Sequence, residues 1–284
     1  MRIRRAKYAG ACYGVKRALR LVNEAISDSP EPVFTLGPLI HNPQVVESLR
    51  LAGAVAVDYI DQVDHGTIVI RSHGVGPRTI DDARQKGLKV LDATCPHVSQ
   101  AQIAARDLHQ AGYLVVVVGE QGHPEVEGIS AYSGDQVVVV LDASELPVFS
   151  PNTKIGIVAQ TTQTAEAFNA IVDAVKALGI DPLVHDTVCN ASRQRQEAAL
   201  ELAAEVDVML VIGGRNSSNT TRLAELCARV CERTFHVEKP AELDPAWFNG
   251  ASSIGLSAGA STPESQLVEF EQELERYFSR EQCL

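Results

Sequence analysis

Cys12, Cys95 and Cys189 each stand where an apolar strand-like run gives way to a helix-like run, in the texts AGACYGVKRALRLV, VLDATCPHVSQAQIAARDL and VHDTVCNASRQRQEAALEL. A thiol that opens a helix sits in the partial positive charge of unsatisfied N–H groups, which favours the thiolate, the form that binds metal. Two such thiolates make a redox pair and four complete a zinc site, whereas three leave one position open on a tetrahedral or cubane centre. The arrangement points to one shared metal centre with room for a reacting group, with an iron–sulfur cluster as the leading expectation and zinc as the main alternative. Asp92 and Asp186 occupy the same place ahead of the second and third cysteines. Cys227 and Cys231, in LAELCARVCERT, read as the core of an apolar helix face, and Cys283 carries no reading.

Other reactive residue types gather at similar junctions. His41 in LIHNPQVVESL, His73 in RSHGVGP and His123 in GHPEVEG all follow strand-like runs and precede turns or helices led by Pro or Gly, and the first and third of these texts resemble repeats of one unit. An imidazolium pairs with phosphate oxygens and carries protons near neutral pH. Glu125 opens a short helix just after His123, either as a dipole-favoured cap or as a proton carrier beside the open metal position, while Glu127 and Gly128 fit helix continuation and packing. Thr161 and Thr162, in AQTTQT, either cap the next helix or orient a substrate hydroxyl or a water. GGRNSSNTT, with Ser217, Ser218 and Asn219, and SAGAST, with Ser261, supply N–H groups and hydroxyls for an anion cradle suited to a diphosphate or polycarboxylate. No Walker-type lysine loop and no Gly-x-Gly-x-x-Gly fingerprint occurs, which argues against nucleoside triphosphates and dinucleotides. His65, His97, His109, His185 and His236 read as surface or structural residues.

The elements that must position these groups are legible in outline. Apolar runs such as TIVIRSHG, YLVVVVGE, KIGIVAQT, DVMLVIGG and SIGLSAG alternate with helical-period segments, predicted at 43–52, 98–111, 165–178, 191–204, 220–231 and 263–278, so the class is α/β. Polar residues cluster after the strands, where open parallel sheets place ligands. One doubly wound sheet would struggle to gather three cysteines so far apart. The expectation is three small pseudo-repeated α/β lobes of roughly 90 residues with mainly parallel sheets around a central iron–sulfur site. Their bounds would be 1–94 (the N-terminal strand and first lobe), 95–188 and 189–284.

The chain has 284 residues, 45% hydrophobic and 21% charged, enough for a sizeable core. It shows no signal-like opening and no apolar run near the roughly 18 residues of a membrane span, so a cytoplasmic protein with reduced thiols is expected. A net charge of −11 opposes nucleic acid and anionic membranes as partners, so an anionic ligand must be held by a local recess.

Taken in chain order, CYGVKRAL, HNPQVVESL, SHGVGP, DATCPHV, GHPEVEG, QTTQT, CNASRQRQEA, GGRNSSNTTRLAEL and SAGASTP resemble the motif set of the 4-hydroxy-3-methylbut-2-enyl diphosphate reductase (LytB/IspH) family over essentially the whole chain. The resemblance implies a three-lobed α/β enzyme with a 4Fe-4S cluster held by Cys12, Cys95 and Cys189 and one iron open to substrate. It also implies reduction of an allylic alcohol diphosphate to isopentenyl and dimethylallyl diphosphates with loss of water, the last step of the methylerythritol phosphate route to isoprenoids. By the same resemblance His41, His73, Ser217, Ser218, Asn219 and Ser261 hold the diphosphate, while His123, Glu125, Thr161 and Thr162 manage the substrate hydroxyl and the protons. No flavin or nicotinamide motif is present, so an external donor of the ferredoxin or flavodoxin type is implied.

Ala11 and Tyr13 around Cys12, where the family text reads GFCAGV, and Ser192, where Thr is common, are departures that bear on cluster potential, oxygen sensitivity or donor choice. Three rival readings remain open. An iron–sulfur dehydratase or quinolinate-synthase-like enzyme would hold carboxylates with arginines, for which Arg71, Arg193 and Arg215 are the nearest groups. An iron–sulfur sensor would carry a DNA- or partner-binding module, and a zinc hydrolase would use the Cys/His set.

Overall fold

The computed structural model describes residues 1–150 and 152–281, so Cys283 lies outside the described residues. Among these residues three sheets form, each of four parallel strands. The first runs Ala54–Val57, Val33–Leu36, Thr67–Ile70, Lys89–Asp92, and the second Val137–Val140, Leu114–Val118, Ile155–Ala159, Leu183–Val184. The third runs Thr234–Val237, Val208–Ile212, Ser253–Ala258, Arg2–Arg5. Each sheet thus has the local order second, first, third, fourth strand. In the third sheet the fourth place is taken by the N-terminal strand, with Ile3 opposite Ile254. The expected α/β class and its pseudo-repetition are present as one strand order used three times.

Parallel strands covered on both faces must be apolar throughout, and Thr67–Ile70, Ile155–Ala159, Val208–Ile212 and Ser253–Ala258 are buried at every position. Successive side chains go to opposite faces. Val116, Val118, Ile155 and Ile157 pack with Phe168, Ile171 and Val175 of the helix Ala165–Ala177. Val115, Val117 and Val158 pack with Ala101, Ala105 and Leu108 of the helix Pro96–Gln110 and Ile129 of the helix Pro124–Ser130. In the third sheet Leu210, Ile212 and Leu256 meet Leu267, Phe270 and Leu274 of the helix Glu264–Glu281, while Met209 and Val211 face Ala199 and Leu202 of Asn190–Ala203 and Leu223 of Ser218–Ala228. Full burial of each large aliphatic contributes about 1.5–3 kcal/mol, so both faces of the second and third sheets hold the helices that end beside the polar loops.

The helix predicted at 43–52 spans Pro43–Ala52. The one predicted at 98–111 starts earlier, at Pro96, because a proline at the first helical position needs no N–H partner. The one predicted at 220–231 is Ser218–Ala228, capped by the Ser217 side chain, which leaves Cys231 beyond its end. Both Cys227 and Cys231 are buried in core as expected, and burial pushes the Cys227 thiol up to about 12.

Two compact units divide the chain. One comprises Met1–Tyr13, His41–Pro43 and Asn190–Leu284 and contains the third sheet; the other comprises Gly14–Ile40 and Gln44–Cys189 and contains the first two. No helix among the described residues is long and apolar enough to cross a membrane. In the first unit Arg5 bonds Glu264 and Glu271 of the last helix, anchoring the N-terminal strand. Asp207 joins the starts of two neighbouring strands. Its Oδ2 accepts from the N–H and hydroxyl of Ser252, both at 2.8 Å, and of Ser253, both at 2.9 Å.

The Ser252 and Ser253 bonds hold the Asp207 carboxyl well below its ordinary value of 3.8. A depressed folded-state value means that the stabilisation is present above 3.8 and is lost as pH falls through the folded value. Asp207→Asn should therefore melt lower than the parent at neutral pH and lose less on further acidification. Thermal unfolding followed from neutral to strongly acid pH checks both effects.

Candidate functional site

The three candidate cluster thiols occupy one equivalent place in the repeat. Cys95 is the N-cap of Pro96–Gln110, and Cys12 and Cys189 directly precede Tyr13–Asp28 and Asn190–Ala203. Each of these helices follows the fourth strand of a sheet. Asp92 Oδ1 accepts from the Thr94 N–H at 2.9 Å and Asp186 Oδ1 from the Val188 N–H at 3.2 Å, matched turns that swing the chain from strand end to thiol. The backbone N–H of each cysteine then bonds a carbonyl in the loop after the third strand of the same sheet. Cys95 donates to Ser72 at 2.9 Å, Cys189 to Thr161 at 2.9 Å and Cys12 to Ala260 at 3.1 Å. All three thiols are half-buried, whereas Cys227 and Cys231 are buried, and none of the five forms a disulfide among the described residues.

In the second unit these loops place Glu125 against Thr161. Glu125 Oε1 accepts from the Thr161 N–H at 2.6 Å and Oε2 from the Thr161 hydroxyl at 3.1 Å. The carboxyl is only 3% exposed, and burial drives its pKa up to about 7 although both Thr161 bonds pull the other way. At neutral pH such a group holds and releases a proton with comparable ease. His123 caps the Glu125 helix, its Nδ1 accepting from the Glu125 N–H at 3.1 Å, which leaves the ring proton on Nε2. The rings of His73 and His123 meet edge to face, 5.7 Å between centroids and 83° between planes. Thr162, next to Thr161, has a buried hydroxyl oxygen without a hydrogen-bond partner among the described residues.

In the first unit the hydroxyl loops converge on His41. Ser261 Oγ lies 3.1 Å from the His41 carbonyl and 3.3 Å from Ser217 Oγ, and Ser217 caps the helix Ser218–Ala228 by accepting from the Thr220 N–H. Ser218 and Asn219 form the first turn of that helix, where N–H groups and the helix dipole favour an anion. Asn219 Nδ2 is buried without a hydrogen-bond partner among the described residues, a donor that a diphosphate oxygen would satisfy.

Two residues of these clusters escaped the sequence reading. Asn42 donates to the Ser261 carbonyl at 3.1 Å and to Gln266 Oε1 at 3.0 Å, tying His41 to the Ser261 loop. Gln102 is buried on the helix Pro96–Gln110, wedged so tightly against Gly74 and Gly128 that a side chain at Gly74 would collide with its amide. Gly74 also takes φ +72°, a conformation that favours glycine. Gln102 left a trace, since it interrupts the apolar stripe of Val98, Ala101, Ala105 and Leu108.

The predicted residues thus fall into two groups. His73, His123, Glu125, Thr161, Thr162, Cys95 and Cys189 belong to one unit, and His41, Ser217, Ser218, Asn219, Ser261 and Cys12 to the other. Within neither unit, among the described residues, do three or more His, Cys, Asp or Glu side chains form a group suited to a single metal ion. Each of the three thiols by itself has the chemistry of an iron–sulfur ligand: half-buried, at a helix start, and hydrogen-bonded through its backbone to a candidate substrate loop of its own unit.

Three parallel sheets that present thiol, imidazole, carboxyl and hydroxyl groups at their carboxyl ends define an internally repeated α/β class of protein. Residues 3–275 match the LytB protein family, and the chain belongs to that family. The protein named 4-hydroxy-3-methylbut-2-enyl diphosphate reductase in Pelobacter propionicus is 50% identical over 264 residues, covering 93% of this chain and 94% of that relative. Its namesake in Geotalea uraniireducens is 47% identical over 276 residues, covering 97% and 98%. The solved structure of (E)-4-hydroxy-3-methyl-but-2-enyl diphosphate reductase, described as the terminal enzyme of the non-mevalonate pathway, matches with TM-score 0.73 and 41% identity over 97% of this chain and 100% of its own. The E-1-hydroxy-2-methyl-but-2-enyl-4-diphosphate reductase of Plasmodium falciparum matches with TM-score 0.90 and 25% identity, covering 95% of this chain and 87% of that one.

Because Glu125 is raised from 4.5 to about 7 on folding, the folded state binds the proton more tightly than the unfolded state. Stability is therefore fullest below 4.5 and declines as pH rises through about 7. Glu125→Gln should remove this decline and gain on the order of 3 kcal/mol over the parent on the alkaline side, with little difference on the acid side. Denaturant unfolding of both proteins at acid and at mildly alkaline pH measures the difference.

Proposed function

We propose that this protein is a 4-hydroxy-3-methylbut-2-enyl diphosphate reductase. It takes (E)-4-hydroxy-3-methylbut-2-enyl diphosphate, two electrons and two protons to isopentenyl or dimethylallyl diphosphate and water, closing the methylerythritol phosphate route. The names of its relatives support the reading. The observation that carries it is Glu125, a buried carboxyl poised near neutrality and fixed by Thr161 in the loop whose carbonyl receives the Cys189 N–H.

Cys12, Cys95 and Cys189 would hold a 4Fe-4S cluster whose fourth iron has no protein ligand, supplying electrons singly and a Lewis acid for the substrate hydroxyl. The rest of the reaction falls to side chains. His41, His73, Ser217, Ser218, Asn219 and Ser261 bind the diphosphate, with the buried Asn219 Nδ2 as one donor to its oxygens. Binding at this remote end orients the alcohol and converts affinity into positioning. Glu125 delivers a proton to the departing hydroxyl, and the Thr161 N–H and hydroxyl hold the carboxylate that remains. His123, with its proton on Nε2, and Thr162 orient the hydroxyl end of the substrate. An external one-electron carrier of the ferredoxin or flavodoxin type would supply the reducing equivalents, and the cytoplasm suits a protein that must keep three thiols reduced.

The deciding experiment is anaerobic purification with iron and sulfide reconstitution, then viologen-driven reduction of the hydroxymethylbutenyl diphosphate with product identification. The two five-carbon diphosphates are the expected products, and a bound cluster without turnover would return weight to a dehydratase or sensor. Cys95→Ser should lose most bound iron and the visible charge-transfer absorption, measured by metal analysis and spectroscopy without any assay. Glu125→Gln should keep iron and substrate binding but turn over on the order of 10²- to 10⁴-fold more slowly. The parent rate should also fall as pH rises through the Glu125 value of about 7, and the variant should lack that limb.

A further inference from the structure

The second unit contains a cleft of about 1110 Å³ walled by the segments 71–86 and 124–135. These segments also carry His73 and Glu125, yet neither of those residues lines the cleft. Leu36, Val75, Pro124 and Ala131 form apolar parts of its wall, and Arg71, just past the strand Thr67–Ile70, lines it as well. That side chain lies against Gly37, where a Cβ would collide with Nη1. Its Nε is fully buried without a hydrogen-bond partner, and among the described residues Arg71 makes no hydrogen bond or ion pair. A guanidinium carries five N–H donors in a planar fork; Arg71 is half-buried with Glu127 as its charged neighbour, so a ligand carboxylate would meet donors that the protein leaves open.

The surrounding charge decides what that ligand is. Lys86 is already committed to the Ile60 and Asp61 carbonyls, at 3.2 and 3.1 Å, and to the Asp61 carboxylate at 4.0 Å. Asp58, Asp82, Glu127 and Asp135 line the same cleft and outnumber the remaining cations, Arg71 and Arg78. A polyanion meets a net negative wall. A single carboxylate matches the Arg71 fork, and neighbouring hydroxyl or ammonium groups on the same molecule match the acidic side chains.

We propose that this cleft is a second binding site, taking a small hydroxy- or amino-carboxylate whose carboxylate is held bidentately by Arg71. The site stands independently of the reductase reading.

The test uses the full-length protein, purified anaerobically and labelled with nitrogen-15, titrated separately with L-lactate and inorganic phosphate. The Arg71 Nε–H resonance, identified by its loss in Arg71→Met, and the Gly76 and Thr79 amides report binding. Lactate should shift all three saturably and at lower concentration than phosphate. Arg71→Met should abolish the amide response, and Arg71→Lys, which keeps the charge but not the fork, should weaken it about tenfold. Without probe, Arg71→Met should melt no lower than the parent, because among the described residues Arg71 makes no hydrogen bond or ion pair that the substitution would remove. A lower melting point in both variants, an absent lactate response in the parent, or tighter binding of phosphate than of lactate would overturn the proposal.

Discussion

Parallel strand pairing is the constraint on which everything else in this protein depends. Two parallel strands cannot be joined by a tight hairpin, so every connection must cross back over the sheet, and all carboxyl ends of a sheet open on one edge. The three sheets share the local order second, first, third, fourth, and each therefore offers equivalent loops along that edge. The loops after the first strands carry His41, His123 and Ser217, and those after the third strands carry His73, Thr161 and Ser261. After the fourth strands come Cys95, Cys189 and Cys12. The loops that carry the candidate residues are thus one architecture used three times, with their chemistry varied from copy to copy.

The repetition extends to the backbone. Each cysteine N–H reaches a carbonyl in the third-strand loop beside it, at Ser72, Thr161 or Ala260, so cysteine and loop are joined by the same kind of bond in every copy. What differs is the side chain presented. In the first unit the loops supply hydroxyls, an amide and helix N–H groups suited to hold an anion. In the second they supply imidazoles and a buried carboxyl suited to move protons.

Burial moves an ordinary glutamate into the neutral range. The carboxyl of Glu125 accepts two bonds that stabilise its anion, yet desolvation outweighs them and leaves it near neutrality. Asp207 shows the opposite balance: only half-buried and supplied with four donors, it stays ionised far into acid. Neither carboxylate can be told from the other by its neighbours in the chain. The difference lies in what covers each and what bonds it.

The α/β class, the apolar strand runs, the thiols at helix starts and the loops rich in His, Ser and Thr were all legible in the sequence. Periodicity, proline starts and capping residues act over a few neighbouring positions. The N-terminal strand was legible as a strand, but its place beside Ser253–Ala258 was not. The same holds for Asn42 bonding Ser261 across 219 positions, the Glu125–Thr161 pair across 36, and the buried Nε of Arg71 left without a hydrogen-bond partner among the described residues. These were decided only in the tertiary structure, because desolvation and hydrogen-bond pairing depend on which distant segments the sheets bring together, and no local pattern records that choice.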